Sequence, residues 1–331
     1  MRALVSSVPG GGATLDIAEL PTPEAKIGEV KVRTHFAGIN YPDVLIIDDR
    51  YQIRPERPFS PGIEIAGVVD AIGPDVDGIK VGDPCVALLR YGGLAEYAVA
   101  PSDAVAPVPE GLDPTAAAAM IVSYGTSWHA LHDRARLQRG ETLLVLGASG
   151  VVGLAAVQLG KAMGARVVAA VSSPDKARAA EANGADQVVL YPADDVDPRG
   201  LATMFREACG KGGANCIFDP VGGLYGEAAI RALAWQGRYL VVGFAAAMPN
   251  VPANVVLLKS ADVLGVTWGE TVAQTPGMFR RHMAEIGDMA ARGVVAPRPT
   301  LIVSLEEAVD AIEALEARRA FGKTIVRIAE A

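Results

Sequence analysis

Residues 147–153 read Gly-Ala-Ser-Gly-Val-Val-Gly, directly after the apolar run Thr142-Leu143-Leu144-Val145-Leu146 and before a segment with Val152, Ala155, Ala156 and Leu159 on one helical face. A strand, a glycine-rich turn and a helix in that order form an anion cradle. The glycines permit a sharp turn and a close approach of backbone N–H groups, and the helix N-terminus offers the positive end of its dipole. The ligand such a turn suits is a pyrophosphate. A glycine-rich run alone also fits an ordinary tight turn, so context has to separate the two. A second strand at 166–171 follows the helix after Met163-Gly164, completing a strand-helix-strand unit of about 30 residues. Gly147, Ser149, Gly150, Val151, Val152 and Gly153 are the candidate contacts to a dinucleotide.

At the end of that second strand stand Ser172-Ser173-Pro174-Asp175-Lys176. A fold that takes the unphosphorylated dinucleotide usually carries an acid there for the ribose hydroxyls. Two hydroxyls and a cation instead suit a 2′-phosphate, which points to NADPH. The same residues also start a helix, with Ser173 as N-cap and Pro174 in the first turn, and both roles can hold together. Asp175 dissents, but inside the helix it is badly placed for the ribose.

These residues need elements to position them. The first 120 or so residues carry short strands at 29–36, 64–72 and 84–89, punctuated by Gly, Pro and Asp as in GPDVDGIKVGD at 73–83. From 141 the rhythm changes to strand and helix in alternation. The expected helices are 174–183, 198–209, 226–235 and 253–259, and the expected strands 187–191, 214–219, 238–244 and 261–268. With the first unit they make six strands, the pattern of a doubly wound parallel α/β sheet. The tail, with strands at 300–303 and 323–328 around an amphipathic helix at 305–317, is expected to return to the first domain. The domains are therefore expected at 1–121, 122–269 and 270–331, the middle one inserted in a β-rich domain.

Bulk composition narrows the function classes. Of 331 residues half are hydrophobic, and 30 Lys and Arg against 38 Asp and Glu leave a formal charge of −8 with no basic block. Nucleic acid is excluded as a main partner, since it requires clustered cations. No uninterrupted apolar run of about 20 residues suggests a membrane span, and Met1-Arg2-Ala3-Leu4-Val5 runs into a strand without a signal pattern, so a cytoplasmic protein is expected. Cys85, Cys209 and Cys216 form no C-x-x-C pair, which argues against a disulfide scaffold or a cysteine-rich zinc lobe. Cys85 and Cys216 fit buried strand positions, and Cys209 is expected to be partly exposed.

A family resemblance now becomes specific. AGINYPD (37–43), PFSPGIEIAGVVDAIG (58–73), VGD (81–83), AEYAVAP (95–101), SYGTSWHAL (123–131), FDPVGG (218–223), GRYLVVGFA (237–245) and FGK (321–323) stand in the order of the medium-chain dehydrogenase/reductase superfamily. The chain most resembles its zinc-free NADPH:quinone oxidoreductase branch, which includes zeta-crystallin, along essentially its whole length. The resemblance implies a Rossmann sheet inserted in a GroES-like catalytic domain, and a homodimer that extends the sheet through its last strand. Zinc relatives place a catalytic Cys and a His-Glu pair where this chain has Asn40 and Ile63-Glu64. An amide and an isoleucine do not supply the N/S ligands of a tetrahedral zinc site. The resemblance departs at Val151, where the family commonly has Gly.

For the nicotinamide and substrate side the resemblance points to Asn40, Asp43 and Tyr51, to Thr126, and to Gly243 and Phe244 at the end of the fifth strand. Tyr191 and Lys176 are implied at the adenosine phosphate, and Lys323 of FGK either reaches the coenzyme or sits beside an acidic neighbour. Asp43 competes as a helix-start residue and Trp268 as core. The expected activity is hydride delivery from NADPH to a quinone or an α,β-unsaturated carbonyl, with Asn40 or Tyr51 polarising the acceptor oxygen. Two alternatives stand beside it: an enoyl or acryloyl thioester reductase, with Arg54, Arg57 and Arg90 as candidate phosphate contacts, and an NADPH-binding protein without turnover.

Overall fold

The computed structural model describes residues 1–192 and 197–329. The chain divides into two compact units, one formed by 1–122 and 269–331 and the other by 123–268. In the first, β1 (Arg2–Ser6) pairs with β2 (Leu15–Glu19), and β3 (Glu29–Gly38) is followed by the short helix α1 (Tyr41–Ile47). Then come β4 (Glu64–Ile72), β5 (Pro84–Leu88), β6 (Tyr97–Pro101) and β7 (Val105–Pro107). Helix α2 (Pro114–Trp128) leads into the second unit.

The second unit alternates β8 (Thr142–Leu146), α3 (Val151–Ala162), β9 (Arg166–Val171), α4 (Pro174–Ala182), β10 (Gln187–Leu190), α5 (Pro198–Cys209), β11 (Ala214–Asp219), α6 (Gly223–Ala229), β12 (Leu233–Val241), α7 (Ala253–Lys259) and β13 (Asp262–Gly265). The tail adds α8 (Trp268–Gln274), α9 (Met278–Ala291), β14 (Leu301–Ser304), α10 (Ala308–Glu316) and β15 (Thr324–Arg327).

The six strands of the second unit are parallel, in the order β10-β9-β8-β11-β12-β13. That is the doubly wound order, whose reversal beside the first strand opens the ligand crevice at the strands' carboxyl ends. Strand β8 is central, and Leu143 through Leu146 are all fully buried, as a run covered on both faces must be. Helix α5 illustrates how its neighbours are set. Asp197 caps it by accepting from the N–H groups of Arg199 (3.0 Å) and Gly200 (2.9 Å), and Pro198 occupies the first turn. Leu201, Ala202, Phe205, Ala208 and Cys209 face inward at helical spacing. Burial of a side chain such as Phe205 stabilises by about 1.5–3 kcal/mol.

In the first unit β14-β15-β3-β4-β5-β7 form one sheet, with β6 also paired to β3. The returning strand β15 runs antiparallel to β3, Ile325 opposite Gly38 and Val326 opposite Ala37. The GroES-like and Rossmann architectures are thus both present in one chain. Among the described residues no helix is long and apolar enough to cross a membrane.

Three local expectations are corrected. The helix expected at 226–235 ends at Ala229, a 3-10 turn covers Ile230–Ala232, and Ala234 and Trp235 already belong to β12. Pairing with β11 overrides the local helical spacing, and the ladder absorbs an irregularity between Leu233 and Arg238, where Gln236 takes φ 56°. Trp268 starts α8 instead of closing the last strand, and its buried indole lies against Gly125, where a Cβ would overlap the ring. Cys209 is buried on the inner face of α5, and burial pushes its thiol up to about 11.

Candidate functional site

In the second unit Gly147 leaves β8 with φ 56°, and a Cβ there would come within 2.8 Å of Val221 Cγ2. Gly153 allows α3 to pack on the turn, since a Cβ there would stand 2.9 Å from Ala148 Cα. Gly150 is the N-cap and its side makes no capping hydrogen bond. The first amides of α3, those of Val151, Val152 and Gly153, are the ones a helix leaves without intrahelical acceptors. Such amides, with the helix dipole behind them, suit an anion. Val151 stands at the first helical position and needs no left-handed backbone, so the departure from Gly leaves this turn intact. Ser149 is half-buried beside it.

At the end of β9, Ser173 accepts from Lys176 N–H (3.4 Å) as the N-cap of α4, with Pro174 in the first turn. Lys176 also folds back, its Nζ donating to Ser172 Oγ at 3.1 Å. One ammonium and two hydroxyls are thereby gathered at the carboxyl end of β9, and all three side chains remain half-exposed. Asp175 points to solvent in an ion pair with Arg178. Tyr191 is tied to β9 through its N–H to Val171 O (3.0 Å), but its ring is 7% exposed, packed on Phe205 and Tyr225. Burial pushes that phenol up to about 12. Gly243 and the exposed Phe244 follow the end of β12, and Thr126 is half-buried on α2.

The first unit holds a buried polar cluster that sequence reasoning only half saw. Glu64 is fully buried at the start of β4. Its Oε2 accepts from Val122 N–H (2.7 Å), and its Oε1 accepts from Asn40 Nδ2 (2.8 Å) and from Lys323 Nζ. Lys323 also donates to Asn40 Oδ1 (2.7 Å) and Ile39 O (3.2 Å). All three ammonium hydrogens therefore have acceptors, and Lys323 sits with its acidic neighbour Glu64. Asn40 Nδ2 gives its second hydrogen to Gly38 O (3.3 Å). Both hydrogens of the Asn40 amide thus have acceptors within the first unit.

Asp43 closes the start of α1, as its helix-start reading has it. Its carboxylate accepts from Asn40 N–H (2.8 Å) and Gly62 N–H (3.1 Å). Full burial pushes its pKa up to about 7, against the pull of the Asn40 amide and the Lys323 charge. Tyr51 is half-buried among Ile46, Phe59, Ile63 and Val122. Burial, then the charges of Asp43 and Glu270, raise its pKa, and its hydroxyl has no hydrogen-bond partner among the described residues. The signal for the missed pair was Glu64 itself: a carboxylate between Ile63 and Ile65 in an apolar strand has to find a buried cation.

Further polar side chains are engaged with their neighbours. His129 and His132 both bond Asp133 through Nδ1, at 2.9 and 2.8 Å, in a π-helical turn. Among the described residues no group of three or more His, Cys, Asp and Glu is placed to hold a metal ion. Arg57 is tied to Asp49 and to Ile47 O and lies over Phe59.

The fold and these two groups of residues define a two-domain nucleotide-dependent reductase type. The profile described as "Zinc-binding dehydrogenase" matches residues 151–286, and that described as "Alcohol dehydrogenase GroES-like domain" matches 26–110. Quinone oxidoreductase-like protein 2 of Bos taurus is 36% identical over 316 residues, covering 95% of this chain and 89% of its own. A mycobacterial protein solved in complex with NADPH superposes with TM-score 0.91 at 28% identity, covering 99% of this chain and 100% of its own. The quinone oxidoreductase of Escherichia coli, also complexed with NADPH, gives 0.88 at 26% identity, with 99% and 100% covered. The chain belongs to the medium-chain dehydrogenase/reductase superfamily, in its zinc-independent quinone-oxidoreductase-like branch.

Proposed function

We propose that this protein is an NADPH-dependent oxidoreductase that reduces quinones or other conjugated α,β-unsaturated carbonyl compounds without zinc. The observation that carries the reading is the pairing, in one unit, of the Gly147–Gly153 anion cradle with the Ser172, Ser173 and Lys176 cluster at the end of the next strand. The mycobacterial and Escherichia coli structures solved with NADPH support it.

The coenzyme when bound supplies a hydride. The amides of Val151, Val152 and Gly153 would hold the pyrophosphate, and Lys176 with Ser172 and Ser173 would hold the 2′-phosphate, while Tyr191 would back that site from the core. Gly243, Phe244 and Thr126 belong to the nicotinamide side. Tyr51, whose hydroxyl has no partner among the described residues, would donate a hydrogen bond to the acceptor oxygen as negative charge builds there. Asn40 acts through position: Lys323 and Glu64 fix its side chain, and its backbone opens α1. A quinone or enone is electron-poor enough to need no stronger Lewis acid.

The last Rossmann strand, β13, lies at the sheet edge, and Leu257 and Leu258 of α7 and Val263 of β13 are exposed. This supports pairing of two copies through that edge. A cytoplasmic setting fits three buried, unpaired thiols. The test is turnover: NADPH oxidation by the purified protein above background with a simple quinone or an enone, retained after exhaustive chelation. No oxidation with any member of a panel of quinones, alkenals and enoyl thioesters would reject the reading.

A further inference from the structure

The loop FDPVGG, between β11 and α6, is built around one buried carboxylate. Asp219 ends β11 with 1% of its surface exposed. Its Oδ1 accepts from the N–H groups of Val221 and Gly222, both at 2.8 Å, and its Oδ2 accepts from the hydroxyl of Tyr239. Tyr239 lies in the middle of β12 and is itself 1% exposed. The fit around the pair is close: a Cβ on Gly226 would overlap both Asp219 Oδ2 and the Tyr239 hydroxyl, so α6 can pass only as glycine. A polar pair at this depth requires a reason beyond packing, because an apolar pair of similar shape would serve a core at least as well.

The loop it shapes runs to the coenzyme turn on one side and to the end of β12 on the other. Val221 is the side chain that lies 2.8 Å from where a Cβ on Gly147 would stand. Asp219 O accepts from Val242 N–H (2.9 Å) and Gly243 N–H (3.3 Å). Pro220 O and Val221 O accept from Ala245 (3.2 Å) and Ala246 (2.8 Å), and Gly223 N–H donates to Ala247 O (2.7 Å). The carboxylate therefore fixes the turn that places Val221 beside Gly147, while the backbone of the same loop pairs with the end of β12.

We propose that Asp219, held by the Tyr239 hydroxyl, is a positioning residue for NADPH: its carboxylate fixes the turn that sets Val221 against Gly147, without touching the coenzyme. This rests on the reading that the Gly147–Gly153 turn holds NADPH. Tyr239 keeps the carboxylate aimed, and the two loop amides turn inward because the carboxylate accepts them. Loss of either partner lets the loop relax away from the first glycine, so the defect appears in coenzyme binding and not only in stability.

The experiment measures the NADPH dissociation constant from the fluorescence of bound nicotinamide, below the melting temperature of each protein, for the unmutated chain and for D219A, D219N and Y239F. Asp219→Ala should weaken NADPH about tenfold or more, and Tyr239→Phe, which keeps the ring, about threefold or more, the scale of losing ordinary hydrogen bonds. Asp219→Asn should stay within about threefold of the unmutated protein, since its amide oxygen still accepts both loop N–H groups. Melting temperatures that fall while every variant binds NADPH as the parent does would assign the pair to the core alone and overturn the proposal. If Asp219→Ala does not fold, Tyr239→Phe decides by the same criterion. Failure of the unmutated protein to bind NADPH would reject the functional reading beneath the proposal, an outcome distinct from normal binding that no variant alters.

Discussion

Lys323 and Asn40, 283 positions apart in the chain, are joined by a 2.7 Å hydrogen bond from the ammonium to the amide oxygen. Glu64 receives both of them on one oxygen, so cation, amide and carboxylate form a closed set with 4%, 7% and 0% of their surfaces exposed. The family resemblance sets Asn40 and Glu64 where zinc relatives are expected to place a catalytic Cys and the Glu of a His-Glu pair. Here they face a lysine that has nothing left to donate.

The first prediction follows from that closure. Lys323→Met leaves the Glu64 carboxylate buried without its cation and should cost about 3–5 kcal/mol in urea unfolding, whereas Lys323→Met combined with Glu64→Gln should recover most of it. The folded double variant should bind NADPH within about threefold of the parent. Tenfold weaker coenzyme binding would return Lys323 to the coenzyme site.

Asp43 predicts a pH dependence. Its folded pKa of about 7 lies above the ordinary value of 3.8, so proton binding favours the fold. Stability from this group is fully present below about pH 4 and is lost as pH rises through about 7. Relative to Asp43→Ala, the unmutated protein should lose on the order of 4 kcal/mol of unfolding free energy between about pH 4 and about pH 8. Parallel stability curves for the two proteins would contradict the assignment.

The Lys176 ammonium, parked on Ser172 Oγ, is the proposed ligand of the 2′-phosphate. NADPH should bind at least about tenfold more tightly than NADH, and Lys176→Ala should erase most of the difference, the value of one charge-assisted contact. Direct titration of both coenzymes checks this, and equal affinities in the unmutated protein would refute it.

Tyr51 carries the acceptor-side prediction. Tyr51→Phe keeps the ring among Ile46, Phe59 and Ile63 and removes the hydroxyl. It should lower kcat/KM for quinone and enone acceptors by roughly tenfold while NADPH affinity stays within about threefold. Unchanged turnover would make Tyr51 a packing residue.

What could be read from the sequence was local. The turn at Gly147, the cap at Ser173 and the buried run of β8 each depend on residues a few positions apart, and each stands where the spacing places it. The start of β12 was not legible, because Leu233, Ala234 and Trp235 take their conformation from β11 across the sheet. Nor was the partnership of Glu64 with Lys323, made by a strand that returns from the end of the chain. Asn40 shows the same limit: its residue type suggested a donor to substrate, and only its neighbours reveal that both hydrogens are taken.

The central claim, hydride transfer from NADPH to a conjugated acceptor, is tested most directly by isotope tracing. Turnover of a simple cyclic enone with NADPH deuterated at nicotinamide C4 on the transferred face should give the saturated ketone with deuterium at its β-carbon, read by mass spectrometry and NMR. Reduced product without that label, or no reduced product at all while NADPH remains bound, would contradict it.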